Sequence, residues 1–385
     1  MAKFLPMLRW TLLLFALMLL LLSALNLVRS PDWSDWRLGI VAAEFGHWLA
    51  VLSMVPVAFA VFRLSGGWRA ALLVPSLLAA AAFLRPAVGA WRIGRHLPAG
   101  MDSAFGADPA AGPAFLWRRL VAGASIPSGA MRTEVFARPD GQELKLDFYP
   151  AAAGPRPPAC VLVIHGGGWD SGSRAELPAL DRRLAARGYA VAAIDYRLVP
   201  RWRWPAPEED AMAALGWLKA NAARLGIDPT RFVILGRSAG GQIAEVLAYR
   251  AHDPAIRGLI SFYGPSDMVF AYEHAREDDI LKSPALMRAY LGGPLDRERA
   301  RYEDASALRL VGPGSPPTLQ LHGELDALVW HRHSERLDAA LQAAGVRHYF
   351  LSLPWATHAF DFNLDSPDGQ LAAYAVERFV DAVTK

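Results

Sequence analysis

Cysteine is nearly absent from this sequence of 385 residues, which has only Cys160. No disulfide can form within the chain, so cysteine usage does not indicate the redox compartment. Because Cys160 lies within an apolar run, we expect it to be a buried strand residue.

An excess of charge of one sign is also missing. The 40 basic and 37 acidic residues leave a net charge of +3, and no run of lysine or arginine indicates an arm that binds nucleic acid. The sequence lacks His-Glu-x-x-His and paired Cys–His spacings, so it offers no support for a metal site. Its glycines form neither a phosphate-binding G-x-x-x-x-G-K-S/T loop nor a G-x-G-x-x-G motif that opens a helix. These absences argue against nucleic-acid, metal and phosphate-loop binding.

Hydrophobic residues make up 53% of the chain but are concentrated in its first part. We predict a transmembrane helical region over residues 1–93, a linker over 94–130 and an α/β domain over 131–385. The linker prediction rests on several Gly, Pro and Ala residues without a long periodic run. A short amphipathic helix at 115–120 would lie on the membrane or cap the next domain.

The first predicted span covers about residues 4–28. No charged residue occurs from Leu12 to Val28, and with its flanking residues the run is long enough for a hydrocarbon core, which needs about 20 residues. A cleaved signal peptide is the alternative. The run is long for a signal peptide, and no clear A-x-A cleavage site lies near its end, which favours an uncleaved anchor.

The second predicted span covers about residues 38–62. It contains Glu44 and His47, which are three positions apart and therefore on one face of a helix. Ionisable groups in a span usually face the bundle interior or mark a site. We interpret the pair as an interhelical contact or a position near the interface, with a functional role as the alternative.

The third and weakest predicted span covers about residues 69–88. Arg69 and Arg85 bracket an apolar run of ~22 Å, which is shorter than a ~30 Å core unless the arginines snorkel or the bilayer thins. Three spans with the N-terminus inside would place the α/β domain outside the cytoplasm, and two would place it inside. The positive-inside count does not decide between them. We favour an integral membrane protein with three spans and an extracytoplasmic domain.

From about residue 131, short β-branched runs alternate with helical ones. This alternation predicts a mostly parallel sheet flanked by helices, an α/β fold whose ligand lies at the carboxyl ends of the strands. Residues 266–316 are long for a connection, and we interpret them as a helical insertion over the site, with a peripheral insertion as the alternative. The predicted strands are 143–149, 159–164, 189–194, 231–235, 256–262, 317–321 and 347–353, and the predicted helices are 177–187, 207–225, 242–250 and 334–344.

Two motifs directly follow apolar, strand-like runs. Residues 165–169 are His-Gly-Gly-Gly-Trp, a loop able to turn backbone N–H groups toward a developing oxyanion. Residues 236–240 are Gly-Arg-Ser-Ala-Gly, a G-x-S-x-G elbow that lifts a serine hydroxyl out of a sheet. Either motif alone can occur by chance, but both in this order indicate a serine hydrolase.

Ser238 is the candidate nucleophile. A serine nucleophile needs a base, an acid that orients the base, and donors for the oxyanion. Asp326, in the loop after a strand, is the candidate acid, and Glu324 is the competing carboxylate. His358, after the last predicted strand, is the candidate base. The candidate oxyanion donors are the N–H groups of Gly166, Gly167 and Ala239.

Other histidines fit the role of base less well than His358. The competitors are expected to be solvated at a helix start (His331 and His333), structural (His165 and His322) or at the entry to a strand (His348). The chain order of nucleophile, acid and base is that of α/β-hydrolases, and it differs from the chymotrypsin and subtilisin orders.

Residues from about 144 to 380 resemble the hormone-sensitive-lipase-like branch of the α/β-hydrolases, which includes bacterial carboxylesterases and acetyl esterases. The resemblance implies Ser238, Asp326 and His358 as the catalytic triad, hydrolysis of carboxylic esters, and no cofactor. It is carried by both motifs and these three residues, and by residues 171–173 (Ser-Gly-Ser), 195–200 (Asp-Tyr-Arg-Leu-Val-Pro), 204–205 (Trp-Pro), 209–210 (Glu-Asp) and 226–229 (Gly-Ile-Asp-Pro).

Two residues depart from the pattern of that family. Arg237 precedes the nucleophile where lipase-like members commonly have Asp, and we expect it to pair with a nearby carboxylate. Trp330 stands where Pro often follows Asp-x-x-Val. Both departures leave the substrate open.

The sequence therefore predicts a membrane-anchored serine esterase that cleaves small-molecule, lipid or acylated-glycan esters through an acyl-serine intermediate. A serine peptidase or amidase on the same fold is one alternative. A non-catalytic membrane scaffold is another, although a scaffold does not need a complete triad and an oxyanion loop. The sequence does not indicate an oligomeric state.

Overall fold

The computed structural model describes residues 4–107, 112–125, 129–154 and 156–385. Residues 108–111 and 126–128, which belong to the predicted linker, lie outside the described residues. Residues 4–107 contain four helices: α1 (Phe4–Ala24), α2 (Trp33–Glu44), α3 (Gly46–Arg63) and α4 (Gly66–Phe105).

Three of these helices, α1, α3 and α4, are long and apolar enough to cross a membrane. Helix α4 has 40 residues, so the third apolar segment is longer than predicted. From Gly66 to Arg85 it rises about 30 Å at about 1.5 Å per residue, which matches a typical hydrocarbon core. The third segment is therefore not shorter than the hydrocarbon core, as had been expected, because the helix begins before Arg69.

The predicted second span is wrong in one respect, because it is not a single helix. Helix α2 ends at Glu44 and α3 begins at Gly46, with Phe45 (φ −108°, ψ 14°) between them. Here α3 approaches α4 so closely that a Cβ atom on Gly46 would lie 2.4 Å from the carbonyl oxygen of Phe83. Glu44 and His47 therefore belong to two helices and do not share one helical face.

The short helix expected at 115–120 is α5 (Trp117–Ala122). Its Leu120 is buried in the core of the α/β domain, and the Arg119 guanidinium lies 2.6 Å from the Asp365 carboxylate. Helix α5 therefore caps the α/β domain, which was one of the two positions expected for it; the other was on the membrane.

Among the residues that the structure describes, eight strands form one sheet, and seven of them correspond to predicted strands. The missed strand, β1, lies at the sheet edge and has only Phe136 fully buried. The strands are β1 (Arg132–Ala137), β2 (Leu144–Tyr149), β3 (Cys160–Ile164), β4 (Ala190–Ile194), β5 (Phe232–Arg237), β6 (Ile256–Phe262), β7 (Thr318–Gly323) and β8 (His348–Leu353). Their order is β1-β2-β4-β3-β5-β6-β7-β8. The pairs β1–β2 and β2–β4 are antiparallel, and all other pairs are parallel.

Helices cover both faces of this sheet. The central strands β3, β4 and β5 are therefore buried at every position, as is usual for parallel strands covered on two sides. Cys160 is buried in β3, which confirms that prediction. The helices are α6 (Pro178–Ala186), α7 (Ala206–Ala220), α8 (Ala222–Leu225), α9 (Ala239–Arg250), α10 (Met268–His274), α11 (Ser283–Leu291), α12 (Leu295–Asp304), α13 (Arg332–Ala343) and α14 (Pro367–Thr384).

Helix α4 also continues past residue 94, where the linker was expected to begin, so that boundary is wrong. Its second half has buried apolar residues at helical spacing, which belong to the core of the α/β domain: Leu97, Met101 and Phe105. The Phe105 ring packs edge-on against Phe379 of α14. Arg378 of α14 donates to Asp102 of α4 at 2.6 Å. One continuous helix thus joins the apolar helical region to the α/β domain.

Candidate active site

Ser238 sits at a sharp turn between β5 and α9, with the positive φ of +52°. Non-glycine residues rarely adopt this conformation, and it persists only where the surroundings enforce it. The turn is tight because a Cβ atom on Gly236 would lie 2.1 Å from the carbonyl oxygen of Gly240, and one on Gly240 would lie 2.2 Å from that of His165. The two glycines of the G-x-S-x-G motif are therefore required by space.

The glycine loop lies beside this turn. Strands β3 and β5 pair in parallel with Ile164 opposite Gly236, so the segments that follow them emerge next to each other. A Cβ atom on Gly166 would lie 3.5 Å from the Cβ of Ser238. Gly167 has a φ of +102°, which a residue with a side chain rarely adopts.

His165 has the contacts of a loop-shaping residue. Its Nδ1 lies 2.7 Å from the carbonyl oxygen of Gly166, and its ring stacks on Tyr196 with centroids 4.2 Å apart. Burial lowers the pKa of His165 to about 4, so the ring is neutral at neutral pH. These contacts agree with the expectation that it holds the loop.

Asp326 and His358 meet at the carboxyl edge of the sheet. His358 donates through Nδ1 to Oδ2 of Asp326 at 2.7 Å. The other oxygen, Oδ1, accepts the N–H groups of Leu328 and Val329, each at 2.8 Å. Burial alone would raise the pKa of Asp326, but the electrostatic interaction with His358 and hydrogen bonds from His322 and His358 outweigh burial and lower that pKa. Glu324, the competing carboxylate, instead accepts a hydrogen bond from Ser352 at 2.9 Å.

His322 is a second partner of Asp326 that the sequence analysis treated as structural only. Its Nε2 lies 3.2 Å from Oδ2 of Asp326 and 3.1 Å from the carbonyl oxygen of Val329. Its Nδ1 accepts the hydroxyl of Ser334 at 2.7 Å. His322 therefore helps to orient the carboxylate. In the sequence, the position of His322 four residues before Asp326 was the signal that could have indicated this contact.

The expectation that His331 and His333 are solvated is wrong, since they are only 7% and 3% exposed. Helix α13 packs against β7 and β8 and covers both side chains. His331 is held at 3.0 Å from the Ser352 hydroxyl, and the His333 ring packs edge-on against Phe270.

Arg237 pairs with a buried carboxylate, as its departure from the family pattern led us to expect. It donates through Nε to Asp361 at 2.5 Å. The second oxygen of Asp361 accepts the hydroxyl of Tyr263 at 2.5 Å. The Tyr263 ring in turn lies 4.2 Å from the ring of His358, centroid to centroid. Sequence reasoning missed Tyr263 and Asp361, although Asp361 is only three residues after His358.

A cavity of about 350 Å³ lies beside Asp326. Asp326 and Trp169, the last residue of the glycine loop, form part of its wall. The segment 266–316 supplies apolar lining from α10 and α11, namely Met268, Phe270, Leu286 and Met287. Trp330, the second departure from the family pattern, also lines the cavity and stacks on Phe270 with centroids 5.6 Å apart. These residues shape the space beside the catalytic candidates.

Arg29 and Ser30 also line the cavity, although they are far from the other lining residues in the sequence. They belong to the connection between α1 and α2, in the apolar helical region. Arg29 donates through Nε and Nη2 to the carbonyl oxygen of Glu324, at 3.3 and 3.2 Å. The two residues are 295 positions apart, so no local sequence signal could have indicated this contact.

Comparison with known proteins agrees with this architecture. The profile of the BD-FAE family matches residues 146–341. Esterase LipC of Mycobacterium tuberculosis is 31% identical over 62% of this chain and 62% of its own length. Ethyl acetate hydrolase of Pseudomonas putida is 32% identical over 56% of this chain and 73% of its own length. The chain spans less than two-thirds of several of these relatives, including 63% of Esterase LipQ.

Solved structures show the same fold. The structure titled bacterial heroin esterase superposes with a TM-score of 0.59 at 24% identity, over 77% of this chain and 93% of that one. A hyperthermophilic esterase from Pyrobaculum calidifontis superposes with a TM-score of 0.57 at 27% identity, over 67% of this chain and 87% of that one. The similarity covers the α/β domain in sequence and in topology.

Proposed function

Since the chain belongs to the BD-FAE family and has the α/β-hydrolase fold, we propose that it is a serine hydrolase of carboxylic esters. The observation that carries this proposal is the 2.7 Å hydrogen bond between His358 and Asp326, at the same sheet edge as the Ser238 turn and the glycine loop. The names of two relatives, Esterase LipC and ethyl acetate hydrolase, support an ester as the substrate.

In the proposed mechanism His358 takes the proton of the Ser238 hydroxyl through Nε2, because its Nδ1 is bonded to Asp326. The Ser238 oxygen forms a bond to the ester carbonyl carbon, and the negative charge moves to the carbonyl oxygen. The N–H groups of Gly166, Gly167 and Ala239 stabilise that oxyanion, and each such donor is worth about 10²–10³ in kcat. His358 then protonates the departing alcohol. Water, activated by the same histidine, hydrolyses the acyl-serine.

The full-length protein in detergent is expected to hydrolyse p-nitrophenyl butyrate and to be labelled covalently by a fluorophosphonate probe. The matched amide, butyryl p-nitroanilide, is expected to react far more slowly, since the relatives are esterases. Initial rates on the two substrates measure this preference. Faster cleavage of the anilide would favour the amidase alternative, and a protein without turnover or labelling would favour the scaffold.

We propose that α1, α3 and α4 anchor the protein in a membrane with the α/β domain outside the cytoplasm. The support for the anchor is their length and apolar composition and an aromatic group at one end of the helices, and the side of the α/β domain follows from three spans with the N-terminus inside. There the rings of Trp10 and Trp68 pack edge-on with centroids 4.9 Å apart, and Arg9 lies over Trp68. Tryptophan and arginine at a helix end are typical of a membrane–water interface.

A reporter fused after Lys385 tests this topology in a bacterial host. Alkaline phosphatase fused there is expected to be active, because it folds only outside the cytoplasm, and green fluorescent protein exported through the same pathway is expected to be dark. If the green fluorescent protein fusion is fluorescent and the phosphatase fusion is inactive, the α/β domain lies in the cytoplasm. A protein released from membranes by carbonate washing would contradict the anchor itself.

A further inference from the structure

We infer that Arg29 is a substrate-binding residue of the cavity, and that the preferred substrates are bilayer-resident esters with an anionic headgroup. This inference rests on the proposed function of the site and specifies its substrate class. Three observations support it: the position of the connection between α1 and α2, the positive charge of Arg29, and the apolar side chains that line the rest of the cavity.

The connection between α1 and α2 forms the rim of the cavity. Arg29 and Ser30 line it together with Asp326 and Trp169. Arg29 is anchored on the carbonyl oxygen of Glu324, two residues before the acid of the proposed triad. A substrate group that contacts Arg29 therefore lies in the same cavity as Asp326, the acid of the proposed triad.

The same connection lies at the end of the apolar helices. Leu27 and Val28, just before Arg29, are each 53% exposed although they are apolar. Arg85 of α4 donates to the carbonyl oxygens of Asn26 and Pro354, and it follows the start of its helix by about 30 Å, one hydrocarbon thickness. The cavity rim is thus level with the membrane boundary, and a lipid ester can enter it without leaving the interface.

Arg29 brings to the cavity a cation that is not part of an ion pair with any described residue. Among the residues that the structure describes, no carboxylate lies within salt-bridge distance of the Arg29 guanidinium. Arg276, the other arginine that lines the cavity, is paired with Asp278 at 2.9 Å. The two lining carboxylates are hydrogen-bonded away from Arg29, Asp326 to His358 and Asp279 to the N–H and hydroxyl of Ser283. The Nη1 end of the Arg29 guanidinium is not used by the bonds to Glu324, and it is therefore available for a charge-assisted hydrogen bond to a phosphate or carboxylate.

The remaining lining suits an acyl chain. Met268 and Met287 present flexible apolar side chains, which adapt to varied hydrocarbon shapes, and Leu286 adds further apolar lining. An anion at the rim and a chain in the cavity together describe a lipid whose ester bond lies between its headgroup and its apolar tail.

The test uses full-length protein in lipid nanodiscs of two compositions with the same surface charge. One contains ester-linked phosphatidylglycerol with ether-linked phosphatidylcholine, and the other contains the reverse pairing, so only the cleavable headgroup differs. Fatty-acid release is expected to be faster from the ester-linked phosphatidylglycerol. Arg29→Gln is expected to lower that rate about tenfold (about 1.4 kcal/mol), a clearly larger loss than the same variant shows with p-nitrophenyl butyrate or ester-linked phosphatidylcholine.

Two further variants make the result specific. Arg29→Lys keeps the charge and is expected to recover most of the phosphatidylglycerol rate. Arg37→Gln removes an exposed arginine of α2 that does not line the cavity, and it is expected to behave as the wild type. A short-chain phosphatidylglycerol in solution tests the source of the anion. If it is cleaved as fast as the bilayer lipid, entry from the membrane is overturned.

The other outcomes separate this inference from the proposed function. If the wild type hydrolyses butyrate but shows no headgroup preference, the inference fails and the esterase proposal stands. If Arg29→Gln slows all substrates equally, Arg29 has a structural role and the inference fails. If butyrate is not hydrolysed by the wild type, the esterase proposal itself fails.

Discussion

Replacing Ser238 by alanine is expected to lower kcat for p-nitrophenyl butyrate by at least about 10⁴-fold, because the proposed nucleophile is lost. The fold should be retained, since alanine occupies less space at a turn whose backbone is enforced by Gly236, Gly240 and the glycine loop. Covalent labelling by a fluorophosphonate should disappear as well. Steady-state kinetics and probe labelling of the purified protein measure both effects.

Ser315→Ala is the matched control for this experiment. Ser315 accepts the N–H of Gly312 in a turn before β7, away from the cavity lining, and the control is expected to keep its activity and labelling. A Ser238→Ala protein that still hydrolyses the ester at a rate near the wild type would overturn the assignment of the nucleophile. The midpoint of thermal unfolding, measured for both variants, shows whether the fold is intact.

Replacing Arg237 by methionine is expected to destabilise the protein by about 3–5 kcal/mol, because it leaves the buried charge of Asp361 without its ionic partner. Arg237 and Asp361 are only 3% and 2% exposed. After the substitution, the hydroxyl of Tyr263 would be the only remaining side-chain donor among the hydrogen bonds described for Asp361. Chemical or thermal unfolding in detergent measures the loss. Activity is also expected to fall, because Tyr263 packs on the ring of His358.

Two comparisons make that result interpretable. Arg309→Met removes a surface arginine whose side chain is 58% exposed and lies 3.5 Å from Glu303, and exposed pairs contribute only about 0–1 kcal/mol. Adding Asp361→Asn to Arg237→Met should recover part of the stability, since the amide carries no charge. If Arg237→Met unfolds at the same midpoint as the surface control, the buried pair does not stabilise the fold as argued.

The α/β domain was largely predictable because its signals are local. Buried parallel strands such as β3 and β5 are short continuous apolar runs, and the two motifs at their ends need glycine where the backbone is crowded. The edge strand β1 has no such run, because most of its residues are not fully buried. The second half of α4 was also missed, since its apolar positions look like part of a Gly- and Pro-containing linker until α14 packs against them.

The sequence by itself determined the class of fold, the two motifs at strand ends and the chain order of Ser238, Asp326 and His358. These depend on backbone preferences and apolar patterns that involve neighbours a few residues apart. Only the tertiary structure decided the partners: Asp361 for Arg237, His322 as a second contact of Asp326, and Arg29 at the rim of the cavity. Such contacts join residues as far as 295 positions apart. They arise from how helices and strands pack, and no local pattern of residues specifies that packing.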